Sequence, residues 1–198
     1  MKRTLLVFVF AALMPLTAAA QAAPEGQAGP APAAPKYELY AGFAYTSLNQ
    51  VNTSRYGLMG GELTLTRDWG KYFGLRASGD YYRTPAGHGN PGNPGNPSVY
   101  SVLAGPEIHA NIYGNVDVLI FGELGMEHTG GEKMNPDTSF AGGFGGGLSY
   151  RLSRRWSVRV TGDRVVASFS LNNNTTQLSN SSHMTSNPRA TIGVAFHF

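Results

Sequence analysis

The sequence has no cysteine. That excludes disulfides, thiolate metal sites and the lipid-modified cysteine of a lipoprotein. Charge is also scarce, at 14% of residues. Fifteen Lys and Arg against twelve Asp and Glu give a formal net charge of +3, and without Lys2 and Arg3 the balance falls to +1. So near a balance, the chain carries no electrostatic footprint for nucleic acid. The N-terminal apolar run, Leu5 to Leu13, is too short to span a bilayer as a helix and is broken at Pro15.

What is present begins with export. Met1-Lys2-Arg3, the apolar run and the small-residue stretch Ala18-Ala19-Ala20-Gln21-Ala22 form the basic, apolar and cleavage regions of a secretory signal peptide. Residues 1–20 are expected to be the signal, with cleavage after Ala20 favoured over Ala22. Residues 21–36 are Ala/Pro-rich with almost no large apolar group, and read as an extended leader that contributes nothing to a core. The roughly 175 residues left after cleavage are the size of one domain.

From Tyr37 onward the pattern has period two. Tyr37, Leu39, Ala41, Phe43 and Tyr45 alternate with Glu38, Tyr40, Gly42, Ala44 and Thr46. The same alternation recurs in segments near 57–67, 73–82, 101–109, 116–127, 140–151, 156–163 and 189–198. Eight strands of roughly ten residues exceed the usual length in soluble sheets and match tilted membrane-spanning strands. Tight connections at 68–71, 111–115 and 153–155 alternate with longer ones at 48–56, 84–97, 129–138 and 168–187. The second of these holds a tandem GNP repeat at 89–97, where proline opposes a paired central strand. Short turns at one end and long loops at the other predict an eight-stranded antiparallel up-and-down transmembrane β-barrel. With strand one starting in the periplasm, the long loops lie outside the cell.

Period two does not say which face points inward. The polar face carries Glu62, Arg76, Asp80, Glu107, Glu123, Arg151, Arg159 and Asp163, both signs on many strands. Such a set is predicted to pair across a narrow lumen as a structural charge network, leaving the apolar face for lipid. Aromatic residues gather at the expected rims: Trp69, Tyr72, Phe73, Tyr113, Trp156 and Phe198 at one end, Tyr56, Tyr81 and Tyr100 at the other. Gly143, Gly145 and Gly147 leave the wall bare, and Phe121 is expected to fold over that patch. The GGFGGG run at 142–147 lies within a strand and does not fit a phosphate-cradling G-x-G-x-x-G.

The signal peptide, the eight long strands and the last strand, ending Ile192, Val194, Phe196, Phe198, together resemble the small outer-membrane β-barrels of the OmpA/OmpX-like type over residues 37–198. The resemblance implies a place in the bacterial outer membrane, contact with its lipid and lipopolysaccharide, and recognition of those four C-terminal residues by the barrel-assembly machinery. It also raises lipid A modification, since some barrels of this size are such enzymes. Their deacylase type carries His and Ser two apart on a lipid-facing strand. The five histidines here offer no H-x-S, the nearest being His183-Met184-Thr185 in a loop. They also lack metal-ligand spacing. No catalytic residue, cofactor or metal is therefore expected. The lead expectation is a non-enzymatic barrel with a structural or surface-recognition role through its external loops, with an adhesin and then a lipid A-modifying enzyme as alternatives.

Overall fold

The computed structural model describes residues 36–49, 55–84, 96–132, 136–167 and 185–198. Period two dictates what they build. A strand whose alternate residues are apolar has two unlike faces, and its register is set by keeping them apart. The eight strands are β1 (Tyr37–Asn49), β2 (Arg55–Asp68), β3 (Phe73–Arg83), β4 (Asn96–Tyr113), β5 (Val116–Glu132), β6 (Asp137–Arg151), β7 (Trp156–Ala167) and β8 (Thr185–His197). Each pairs antiparallel with its neighbours in sequence. β8 returns to β1, with Glu38 opposite His197 and Thr46 opposite Arg189, so the sheet closes.

Three tight connections share one end. The first and second contain Gly70 (φ 89°) and Gly114 (φ 52°), left-handed positions that favour glycine. The third uses a serine: Ser153 Oγ accepts hydrogen bonds from the backbone N–H of Arg155 (3.3 Å) and of Trp156 (3.1 Å).

The outer face is apolar. Leu39, Phe43, Leu63, Leu65, Leu75, Val102, Ile108, Ile120, Leu124, Phe144, Leu148, Val160, Ile192 and Val194 are all exposed, while their sequence neighbours turn inward. A continuous apolar belt of this extent is incompatible with water but suits hydrocarbon. Aromatics border it, stacked at the tight-turn end as Trp69 on Phe73 and Tyr37 on Phe198. Tyr81 and Tyr100 are exposed toward the opposite end; Tyr56 belongs to β2, but its side chain lies outside the described residues.

Several expectations need correction. The strands are longer than ten residues, reaching 18 in β4 and 17 in β5. The pairing continues into stretches expected to be loop: Asn96–Pro97, Thr129–Glu132, Asp137–Thr138 and Thr185–Asn187 are all strand. Polar residues above a lipid belt still pair their backbones, so polarity was a poor guide to where the ladder stops. Proline also proves less disruptive than anticipated. Pro97 pairs opposite Gly131 at a strand end, and Pro106 lies within β4, where the pairing with β5 skips Gly105 and Pro106. One missing N–H is tolerated where the flanking ladder is intact. The signal peptide, the leader and most of the long connections lie outside the described residues.

The lipid-facing assignment has a measurable consequence. Ile120→Arg and Val160→Arg are expected to cost about 2–4 kcal/mol each in equilibrium unfolding in lipid vesicles, whereas Leu152→Arg, at a turn, costs about 0–1 kcal/mol. Equal cost at the three positions would show that the belt does not face hydrocarbon.

Candidate functional site

The inward face is polar across the middle of the barrel, and its charges are sorted by the strands that carry them. Arg76 on β3 is the centre of the largest cluster, with its side chain 1% exposed. It reaches three carboxylates on three strands: Glu62 on β2 at 2.5 Å, Glu123 on β5 at 3.0 Å and Glu107 on β4 at 3.5 Å. Its guanidinium lies 4.1 Å from the centre of the Phe121 ring, so a cation–π contact adds to the ion pairs. Thr64 donates to Glu62 at 2.8 Å.

Two further guanidiniums organise the rest. Arg189 on β8 bridges β3 and β7, with Nη1 at 2.5 Å from Asp80 and Nε at 2.8 Å from Asp163, while Nη2 also donates to Asp163. Ser101 donates to Asp80 at 2.7 Å. Nearer the tight turns, Arg159 donates to Glu38 at 2.6 Å and lies 5.6 Å from the Tyr40 ring centre. His197 stands 3.5 Å from the same Glu38 carboxylate and 3.0 Å from Ser157 Oγ.

Toward the other end the interior turns apolar. Ala44, Leu48, Leu58, Tyr82, Val99, Leu103, Ala141, Val165 and Ala167 form one buried cluster across the lumen. Between it and Arg189 is a cavity of about 10 Å³ lined in part by Thr46, Glu127 and Asn187, room for a single water. A barrel of eight strands is just wide enough for its side chains to fill, and among the described residues charged and apolar side chains occupy the lumen at successive levels.

The structure brings Glu62, Arg76, Glu107 and Glu123 into one cluster and joins Asp80 with Asp163 through Arg189. Arg159 sits in a third group with Glu38. Arg151 stands apart. It lies at the end of β6, is exposed at the rim and pairs with Asp117 at 2.7 Å. Glu38, Arg189 and Glu127 were absent from the candidate set although they are buried charges. The signal was available: each lies on the polar face of its strand's alternation.

At the bare patch of Gly143, Gly145 and Gly147, Phe121 is buried and stands directly opposite Gly145 in the β5–β6 pairing, and β7 lies close on the other side. A Cβ at Gly145 would come 2.3 Å from Asp163 Cβ, and one at Gly147 2.3 Å from the Val160 carbonyl. The backbone and side chains of β7 crowd this wall, and the Phe121 ring also lies against Arg76. At the C-terminus, Ile192, Val194 and Phe198 are exposed on the outer face, and Phe196 packs 4.9 Å from Trp156 and 5.9 Å from Phe198.

Removing one member of a buried charge cluster strands the others. Arg76→Met, which leaves three carboxylates without their guanidinium, is expected to cost about 3–5 kcal/mol in urea unfolding. Arg151→Gln breaks an exposed pair and should cost less than about 1 kcal/mol. Similar small losses for both would mean that the lumen cluster contributes little to holding the wall.

Comparison with known proteins adds a lineage to this geometry. Residues 8–198 match the outer membrane protein beta-barrel domain family. No curated protein matches the sequence. Among solved structures, the Neisserial surface protein A is similar with a TM-score of 0.66 at 12% identity, covering 82% of this chain and 97% of that one. The attachment invasion locus protein Ail of Yersinia pestis is similar with a TM-score of 0.56 at 15% identity, covering 83% and 99%. The same Ail protein in complex with the heparin analogue sucrose octasulfate gives 0.53 at 14%, covering 82% and 97%. Identities this low establish a shared fold.

Proposed function

The chain belongs to the outer membrane protein beta-barrel domain family, and with it to the bacterial outer membrane; from that premise we propose a non-enzymatic barrel whose structural or recognition role is exercised at the cell surface. The observation that carries this reading is that buried side chains cross the lumen at two levels. The Arg76 cluster occupies its middle, and Leu48, Leu58, Tyr82, Val99, Leu103 and Val165 close it toward one end. A barrel whose lumen is occupied by its own side chains meets its surroundings chiefly at its rims and connections.

In this reading residues 1–20 are removed on export, residues 21–36 form a leader, and the tight turns face the periplasm. The connections within 84–97 and 168–187 then face outward. They are rich in Asn, Ser, Gly and Pro, a composition suited to exposed binding segments. The outward-facing Ile192, Val194, Phe196 and Phe198 act as the assembly signal. Lipid and lipopolysaccharide surround the belt. A specifically adhesive role is the second reading, favoured by fold similarity to Ail, the attachment invasion locus protein of Yersinia pestis.

Deleting residues 85–95 and 168–184 tests both readings. Cell-surface binding should fall to the level of cells lacking the protein, while heat-modifiable gel mobility shows the barrel intact. Unchanged binding would discard recognition through these segments. In planar bilayers the purified barrel should show no steady conductance, and an open channel would overturn the closed-lumen argument.

A further inference from the structure

Six exposed basic side chains stand at the tight-turn end: Lys36, Arg67, Lys71, Arg151, Arg154 and Arg155. They occupy an arc of the rim. Arg151, Arg154 and Arg155 flank or form the β6–β7 turn. The Arg155 carbonyl accepts a hydrogen bond from His197 of β8 (2.9 Å), the Phe198 carbonyl accepts one from Lys36 (3.2 Å), and the Lys36 carbonyl accepts one from Asp68 (2.8 Å), next to Arg67. Lys71 follows in the β2–β3 turn. Backbone contacts thus carry the basic groups from β6 across the closing seam to β3. The β4–β5 hairpin completes the rim, and residues 110–117 contain no Lys or Arg.

Carboxylate side chains at this end are fewer than its cations. Asp117 pairs with Arg151, and Asp68 lies 3.9 Å from His109. Glu38 turns inward to Arg159. Among the described residues, no carboxylate forms an ion pair with Lys36, Arg67, Lys71, Arg154 or Arg155.

The arc also has a defined depth. Exposed Tyr37, Trp69, Tyr72, Phe73, Trp156 and Phe198 mark the same end, and amphipathic or aromatic rings at a barrel rim sit at headgroup level. The Arg67 guanidinium lies 5.8 Å from the Tyr37 ring centre and 5.6 Å from that of Trp69, and Lys71 Nζ lies 5.1 Å from that of Tyr72. Rings thereby hold cations where lipid phosphates lie.

We propose that the basic arc running from β6 through β8 and β1 to β3 is a binding surface for anionic phospholipid headgroups, which the barrel gathers around its rim except at the β4–β5 hairpin. Guanidinium pairs with phosphodiester oxygens in a planar, two-pronged geometry, and Lys71 adds a point charge. The leaflet is the periplasmic one if the tight turns face the periplasm, so this placement rests on the orientation proposed above. The binding itself does not.

The test is lipid retention by the full-length barrel in neutral detergent, offered phosphatidylglycerol and phosphatidylcholine with matched acyl chains and read by native mass spectrometry. Wild-type protein should retain several-fold more phosphatidylglycerol than phosphatidylcholine. The K71Q/R154Q/R155Q variant should lose that preference, and R83Q/R164Q, which neutralises exposed cations elsewhere, should keep it. Heat-modifiable mobility reports that each variant is folded. Equal retention of the two lipids by wild type, or a preference that survives in the triple variant, would overturn the proposal. Since neither the cell surface nor the long connections enter this assay, its failure is separable from failure of the surface-recognition reading.

Discussion

Every peptide group in the wall must find its partner within the wall, because hydrocarbon offers none. The rest of the structure follows from that constraint. It forces β8 back onto β1, and the register Glu38–His197 to Thr46–Arg189 is where the sheet loses its last edge. It also explains why Pro106 is informative. A proline in a strand with a neighbour on each side costs a ladder bond, and the β4–β5 pairing steps over it while continuing on both flanks.

Closure turns alternation into an inversion of the ordinary protein. Residues such as Leu63, Ile120 and Phe144 that would form a soluble core are on the outside, and Arg76 is among the most deeply buried side chains. The interior is held by directional contacts instead of by volume alone. Its buried carboxylates outnumber its guanidiniums, so each guanidinium serves more than one strand or gains a ring: Arg76 ties β3 to β2, β4 and β5, and Arg189 ties β8 to β3 and β7. Contacts of this kind cross the lumen and link strands that are not neighbours in the ladder. The apolar cluster around Tyr82 and Leu103 completes the filling where charge gives out.

The two rims do different work from the interior. At the tight-turn end, rings and cations are interleaved, and the seam between β8 and β1 is covered by Tyr37, Phe196, Phe198 and Trp156 in contact. The last residues of the chain therefore belong to the closing seam itself. The β4–β5 hairpin interrupts the pattern with exposed Ile112 and Tyr113 and no cation. The barrel is closed in its hydrogen bonding, while its rim of cations is broken at one hairpin.

Strand number, the two faces and the fold class were legible in the sequence because they depend on a local rule. Side chains alternate across a strand, so Tyr37–Thr46 or Ala190–Phe198 shows its faces without knowledge of any partner. The same rule placed Arg76, Glu62, Glu107 and Glu123 on the inside. It could not say which inward charge meets which, because those distances depend on strand stagger and on the shear with which the sheet closes. Tertiary structure alone decided that Arg151 leaves the set for the rim, that Arg189 joins Asp80 to Asp163 across the barrel, and that the Phe121 ring opposite Gly145 also meets Arg76. Strand ends were equally undetermined, since a polar residue beyond the lipid belt pairs or does not according to what its neighbour strand offers. Alternation is a property of consecutive residues, and pairing across a lumen is a property of the closed ring.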